Sequence, residues 1–422
     1  MVTLKSFLGM IAAVPFIMAC NQTGQVNATL FPASGSENVN PDTHLVLTFS
    51  ETPVLGDSGM IRVYDAVTDQ VVDSLDLSIP SGPTESRTYG PECDYTKVPY
   101  DYTRTVVPTN KDTRPGTPSG TAEPTPPVYQ LTIIGGFTDA FHFYPVIVRD
   151  SIATIYLHNN MLEYGHTYYV TIDNGVLNLA DGSFQGVTKE DEWTFTTKSD
   201  MPELSDTLIV DATGKGDFNT VQGALDFIPD FNEQQTVILV NPGDYEELVY
   251  TRNKWNVKIK GAGMADTKVH YANNEVFNPH PLTVKTNEWP GTFPSRRAAF
   301  MLDNCKDIVI EDMTIATDLK GQAEGLLING ERIALYRVHI IGSGDALQAN
   351  GTIYMESCEL DGGGDTILGR GSLFAYKSNF RNGGGPFSWV RNTAGNHGNV
   401  FVECTFSTED GKQADYGRTK SN

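Results

Sequence analysis

A right-handed parallel β-helix preceded by an antiparallel β-sandwich is the fold class this sequence predicts, and three observations predict it. An eight-residue apolar phrase recurs as IVIEDMTI at Ile308–Ile315, IALYRVHI at Ile333–Ile340, IYMESCEL at Ile353–Leu360, LFAYKSNF at Leu373–Phe380 and NVFVECTF at Asn399–Phe406. The starts lie 25, 20, 20 and 26 residues apart, and the glycine-rich turns GSGD, DGGGD and RNGGG separate the copies. Upstream, residues 28–198 hold short alternating strands rich in Thr and Ser. One strand-like phrase per repeat of this length marks a solenoid whose coils add rungs to parallel sheets. The competing reading of the repeat alone is an antiparallel sandwich with long hairpin loops.

Taken in order, Met1–Cys20 has one lysine, Lys5, an apolar run Phe7–Phe16, and then Ile17-Met18-Ala19-Cys20. The run is too short to span a membrane. It resembles a bacterial lipoprotein signal, in which Cys20 becomes the lipidated N-terminus; an ordinary secretory signal cleaved near Ala19 is the alternative. The resemblance implies an exported lipoprotein of the outer membrane or cell surface, or otherwise a periplasmic or secreted protein. Membrane contact is expected only through that anchor.

Residues 28–198 read as a sandwich, with strands at Leu45–Ser50, Met60–Ala66, Ala153–Asn159, His166–Asp173 and Glu192–Thr197. The stretch PASGSENVNPDTHLVLTFSE, closed by EWTFTT, resembles a bacterial Ig-like domain. Ser81–Pro127 is rich in Pro, Thr, Gly and Ser and reads as a long insert. No catalytic constellation stands out in this half, which reads as a spacer or binding module.

The four cysteines after Cys20, namely Cys93, Cys305, Cys358 and Cys404, are too sparse for a disulfide scaffold. Cys358 and Cys404 share a position in phrases two coils apart, roughly 10 Å by strand spacing, beyond disulfide reach. They read as small apolar members of an interior stack. A net charge of −22 excludes generic nucleic-acid binding and repels a polyanion unless that polymer is neutralised, for example by esterification.

The β-helix is expected over 206–422. It opens on TLIVDATGKGDFNTVQGALDFIP, a strand, a glycine turn and an amphipathic helix at Thr220–Ile228 that would cap the solenoid. A nucleotide-loop reading of the glycines fails, because no Lys-Ser/Thr or glycine triplet follows at phosphate-binding spacing. Downstream, Asp345 lies five residues past Ile340 and Asp365 five past Leu360. Residues one repeat apart stack ~4.8 Å apart, so the two carboxylates should face each other. They cannot both ionise freely; one becomes a candidate acid and the other a nucleophile or base. Asp after Gly is also ordinary turn chemistry, and stacking in register is what sets this pair apart.

From about Leu208 to Asn422 the residues resemble the pectin methylesterases. The family's opening V-x-x-D-G-x-G-D-[FY]-x-T-[IV]-Q-x-A-[LV] is similar to Val210–Leu225, its G-x-Y-x-E to Gly243–Glu247, and its I-x-G-x-G-x-x-x-T-x-I to Ile259–Val269. Its Q-A-V-A-L resembles Gln322-Ala323-Glu324-Gly325-Leu326, its G-Y-Q-D-T-L resembles Gly342–Leu347, and its D-F-I-F-G resembles Asp365–Gly369. The resemblance implies hydrolysis of galacturonate methyl esters in pectin without cofactor or metal. It implies Asp365 as nucleophile, Asp345 as general acid and then base, and Gln322 as oxyanion donor. The family's G-R-P-W is similar to Gly417-Arg418-Thr419-Lys420, and implies that Arg418 orients Asp365. Tyr245, Trp389, Phe387 and Gln348 form the candidate substrate-binding set. For Phe387, Trp389 and Tyr416, wall packing is the alternative to sugar stacking. Where the family has a second glutamine before its first aspartate, this chain has Gly344, and Gln348 or a backbone N–H is the expected substitute. Family members continue for further coils, so the β-helix is expected to be incomplete at its C-terminus. Pectin is the expected partner, and a monomer the expected state. The alternatives are a β-helix pectate lyase or polysaccharide hydrolase, and a non-catalytic surface glycan-binding lipoprotein. Methanol, an unsaturated uronide or no product at all would separate them.

Overall fold

The computed structural model describes residues 26–82, 129–137, 141–204, 207–278, 296–392 and 395–419, with the backbone alone at 390, 418 and 419. Cys20, Cys93 and nearly all of the Pro/Thr-rich insert lie outside the described residues.

Among the described residues, two larger sheets make the sandwich of the N-terminal half. One runs in the order Thr29–Phe31, Leu45–Thr48, Ile152–Ile155, Val146–Arg149, all antiparallel. The other runs Ser36–Val39, Thr194–Thr197, Thr167–Ile172, Met60–Asp65, Gln70–Asp76. Alternation is clean where one face is buried: Ile61 and Val63 turn inward from Met60–Asp65, and they share a core with Leu47, Ile155, Val170 and Trp193. The sandwich is not purely antiparallel, because Thr194–Thr197 pairs parallel with Ser36–Val39.

The second half is one continuous parallel ladder from Thr207–Val210 to Arg418–Thr419. Interior columns follow the repeated phrase. Ile259, Ile310, Leu335, Met355, Ala375 and Phe401 lie in one register, and Ile315, Ile340, Leu360, Phe380 and Phe406 in another. Each fully buried Leu or Ile contributes about 1.5–3 kcal/mol. Cys358, Ser378 and Cys404 also share a register, and both cysteines are free thiols.

The phrase itself differs from the sequence reading. It turns a corner rather than forming one straight strand, because its fifth residue is left-handed in every copy: Asp312 (φ 59°), Arg337 (φ 52°), Ser357 (φ 55°), Lys377 (φ 48°) and Glu403 (φ 54°). In the last three copies the strand breaks there, as between Ser372–Tyr376 and Asn379–Asn382. Left-handed backbone disfavours these side chains by about 1–2 kcal/mol per residue. The apolar columns on either side of the corner offset it.

Polar groups inside the coil also stack. Asn350 Nδ2 donates to Asn329 Oδ1 at 2.7 Å, and Asn329 Nδ2 donates to Asp303 Oδ1 at 3.2 Å. Arg252 Nε donates to the other Asp303 oxygen at 2.6 Å, and the Arg370 backbone N–H closes the far end on Asn350 Oδ1 at 3.0 Å.

The first coil is covered by helix α1, Val221–Phe227, whose Thr220 side chain accepts from Gly223 N–H. Glu247 accepts from the backbone N–H groups of Val221 and Gln222 at 2.8 and 2.9 Å. Asp42, from the N-terminal half, accepts from the N–H of Asn219 and Thr220 and from the Thr220 hydroxyl at 2.8–2.9 Å. These bonds satisfy donors that a helix leaves open at its N-terminus. Ile134, Phe137 and Phe141 pack on Tyr250, Met301 and Leu327, so the two halves are docked over an apolar contact.

Asn329→Ala is expected to destabilise the fold by about 2–4 kcal/mol, because Asn350 and Asp303 each lose a buried partner. Urea unfolding checks this; the midpoint should fall with the slope unchanged.

Candidate active site

The register that stacks the apolar columns also stacks acids. Leu326 pairs with Leu347 and Leu347 with Ile367. Two residues earlier on each of these coils stand Glu324, Asp345 and Asp365. Backbone bonds from Gly325 N to Ala346 O and from Ala346 N to Thr366 O carry the register back to them. Glu324 is fully buried, and Asp345 and Asp365 are 8% and 5% exposed. The Asp365 N–H donates to Asp345 Oδ1 at 3.1 Å, so the two aspartates meet across one rung, as the spacing predicts.

Glu324 is the third carboxylate of the column, and sequence reasoning missed it. It stands where the resembling motif has valine. The cation that answers it, Arg297, was missed too. Arg297 Nε donates to both Glu324 oxygens at 2.8 and 2.9 Å, and Nη2 donates to Glu324 Oε1 at 2.5 Å and to Asp345 Oδ2 at 3.2 Å. Nη1 donates to Gln322 Oε1 at 2.5 Å. The available signal was Glu324 itself. An ionisable group between Ala323 and Gly325 in an apolar strand needs a cation, and Arg296-Arg297 opens the preceding coil.

Burial pushes the Asp345 carboxyl up to about 7, with the Glu324 charge next and Asp365 also raising it, against the opposing Arg297 guanidinium. Burial works against the Arg297 charge, but Glu324 and Asp345 outweigh it and the guanidinium's pKa is raised. A carboxyl that holds its proton to neutral pH, beside a second carboxylate, is the arrangement acid–base chemistry needs.

Gln322 reaches this cluster from the turn before its strand. Gly344, one coil on, leaves room for it, since a Cβ there would lie 2.7 Å from Gly321 O and 3.0 Å from Gln322 Cα. A side chain at 344 is therefore excluded by packing.

Other sequence candidates fall elsewhere. Phe387 is 4% exposed and belongs to the coil interior, against Phe406 and Tyr416, so it offers no face to a sugar. Tyr245 is likewise a core residue, its hydroxyl donating to Asn241 O at 2.9 Å near the capped end. Gln348 is 2% exposed in a rung between Leu327 and Leu368 and cannot act as an exposed donor. Trp389 is half-buried in the next rung, paired with Leu368, and the Arg391 guanidinium lies 3.7 Å from its ring centroid. Tyr416 is 76% exposed. The Arg418 backbone pairs with Trp389, two coils on from Leu368, and its side chain lies outside the described residues.

Among the described residues, one group of metal-ligating side chains gathers within 4.8 Å: Glu246, His270 and Asp318. Its members are already engaged: Glu246 pairs with Arg149 at 2.5 Å, and His270 Nδ1 lies 2.5 Å from Asp318 Oδ2.

A family model described as Pectinesterase matches residues 207–383. The pectinesterase QRT1 of Arabidopsis thaliana is 31% identical over 170 residues, covering 38% of this chain and 43% of its own length. Pectinesterase 31 of Arabidopsis thaliana is 29% identical over 165 residues, covering 38% of this chain and 51% of its own length. The chain thus spans about half the length of the relatives it matches. The solved pectin methylesterase from carrot is similar over 52% of this chain and 71% of that one, with 19% identity and a TM-score of 0.43. Residues 207–383, the stretch of the parallel β-helix that includes the stacked aspartates, belong to the pectinesterase family.

Gly344→Ala is expected to destabilise the chain by about 1–3 kcal/mol, since the new methyl must displace the Gly321–Gln322 backbone. A thermal melt beside the parent protein checks it; an unchanged midpoint would show that this turn has room to move.

Proposed function

We propose that the β-helix over 207–419 is a pectinesterase, hydrolysing methyl esters of galacturonate in pectin to methanol and free carboxylate. The observation that carries this reading is the rung in which Asp365 N–H meets Asp345 Oδ1 beside Gln322, within the region that matches the family. A carboxylate oxygen of Asp365 attacks the ester carbonyl carbon, and the carbonyl π electrons move to oxygen. The Gln322 amide donates to that oxyanion. Collapse breaks the bond to methoxide oxygen, which takes the Asp345 proton and leaves as methanol. Water then attacks the acyl-enzyme, Asp345 takes its proton, and the Asp365 carboxylate departs. Arg418 is assigned to orient Asp365, and half-buried Trp389 to line the substrate groove. Esterification removes the polymer's negative charge, which lets it approach a chain of net charge −22.

The remaining assignments are proposals of the same kind. Residues 28–198 form an Ig-like module, the chain acts as a monomer, and Cys20 carries a lipid that holds it at the outer membrane or cell surface of a bacterium. The apolar run ending at Cys20 supports the last of these. Cys20→Ala should move the protein from the membrane fraction to the soluble fraction, and unchanged fractionation would reject the anchor.

For the chemistry, Asp365→Asn should abolish methanol release with the melting midpoint retained, because the amide is a poor nucleophile of nearly the same shape. Asp345 must hold a proton to release methanol, so kcat/KM should fall as pH rises through about 7. Methanol assays across pH check both. Full activity of Asp365→Asn would reject the assignment.

A further inference from the structure

Resting on the esterase reading above, we propose that Arg297 and Glu324 form a positioning pair that fixes the Gln322 amide and the Asp345 carboxyl in working orientation. Neither residue is needed for the chemistry itself.

A guanidinium has five N–H donors and no acceptor. Gln322 must therefore turn its carbonyl oxygen toward Arg297 Nη1, 2.5 Å away. That leaves the Gln322 NH₂ as the free end, which is the end an oxyanion requires. Without Arg297 the amide could flip by half a turn and present an acceptor, which would repel a developing negative charge. The same guanidinium holds Asp345 Oδ2 through Nη2 at 3.2 Å. One planar group thus sets the orientation of both the donor and the acid.

Arg297 is in turn fixed by Glu324, which receives it through Nε and Nη2 in a fork and is fully buried. Gly344 cannot contribute, because packing against Gly321 and Gln322 excludes any side chain there. The groups facing Asp345 are Glu324 and Asp365 from the coils on either side, and Arg297; Glu275 adds negative charge around Arg297. Removing the Glu324 charge should therefore ease ionisation of Asp345.

Two variants test the pair. Arg297→Lys keeps the charge, but a compact ammonium lacks the planar fork by which three separate nitrogens reach Glu324, Gln322 and Asp345. It should lower kcat by about 10–100-fold with KM within about 3-fold, as expected for a misoriented transition-state donor. Glu324→Gln keeps the shape and removes a charge, so the alkaline limb of kcat/KM should move to lower pH by about 1 unit. Carbon NMR titration of the Asp345 carboxyl in the full chain should show the same movement, whether or not pectin is the substrate.

An Arg297→Lys rate within twofold of the parent overturns the positioning role. A stationary Asp345 titration in Glu324→Gln overturns the electrostatic part. Should Arg297→Lys fail to fold, the Glu324→Gln titration decides. A parent protein that releases no methanol, while its Asp345 titration still moves in Glu324→Gln, rejects the esterase reading and leaves the pair standing.

Discussion

In a parallel coil every side chain has a neighbour from the same register position one strand spacing above it and another below, ~4.8 Å away. This constraint governs the whole C-terminal half. Apolar residues gain from it, as in the Ile310–Leu335–Met355 column. Amides gain too, because Asn329 and Asn350 each offer a donor and an acceptor to the next rung. Aromatics tolerate it on the outer surface, where Tyr354 and Phe374 stack at 5.9 Å. Like charges are penalised by it, so three carboxylates in one column require an answering cation. Arg297 supplies it, entering from the coil before Glu324 and touching two of the three.

The N-terminal half contributes to the same end of the structure. A solenoid needs its first coil covered. Here helix α1 covers it, and Asp42 from the other half accepts bonds at the start of that helix. Phe137 and Phe141 then lie over Tyr250, in the outward column that continues through Met301, Leu327, Gln348 and Leu368 to Trp389. The segment that carries Phe137 and Phe141 therefore covers the beginning of the column whose later members, Gln348 and Leu368, lie on the coils of the two aspartates.

Much of this was legible because periodicity in sequence becomes distance in a coil. Spacing alone placed Asp345 over Asp365 and Cys358 in register with Cys404. The corners were not legible, since a left-handed residue is normally signalled by Gly or Asn, and here the position is filled by Asp, Arg, Ser, Lys and Glu. Phe387 and Tyr245 were misjudged because aromatic identity says nothing of which side of the wall a ring takes. Arg297 was hidden for another reason. It lies 48 residues from Asp345, before a strand that lacks the repeated phrase, so no spacing argument reached it. Only the unexplained charge of Glu324 pointed that way.

That charge also explains why the arrangement is not simply a stability device. Replacing a buried ion pair by well-packed apolar residues is often neutral or stabilising, whereas removing one partner is strongly destabilising. A valine at 324 with a small residue at 297 would satisfy the coil with fewer constraints. What such a pair cannot do is hold an amide by its oxygen and a carboxyl by one of its oxygens at the same time. The guanidinium does both with adjacent nitrogens, 2.5 Å from Gln322 and 3.2 Å from Asp345. On the proposed esterase reading, the benefit of the charged pair is thus orientation of the Gln322 amide and the Asp345 carboxyl.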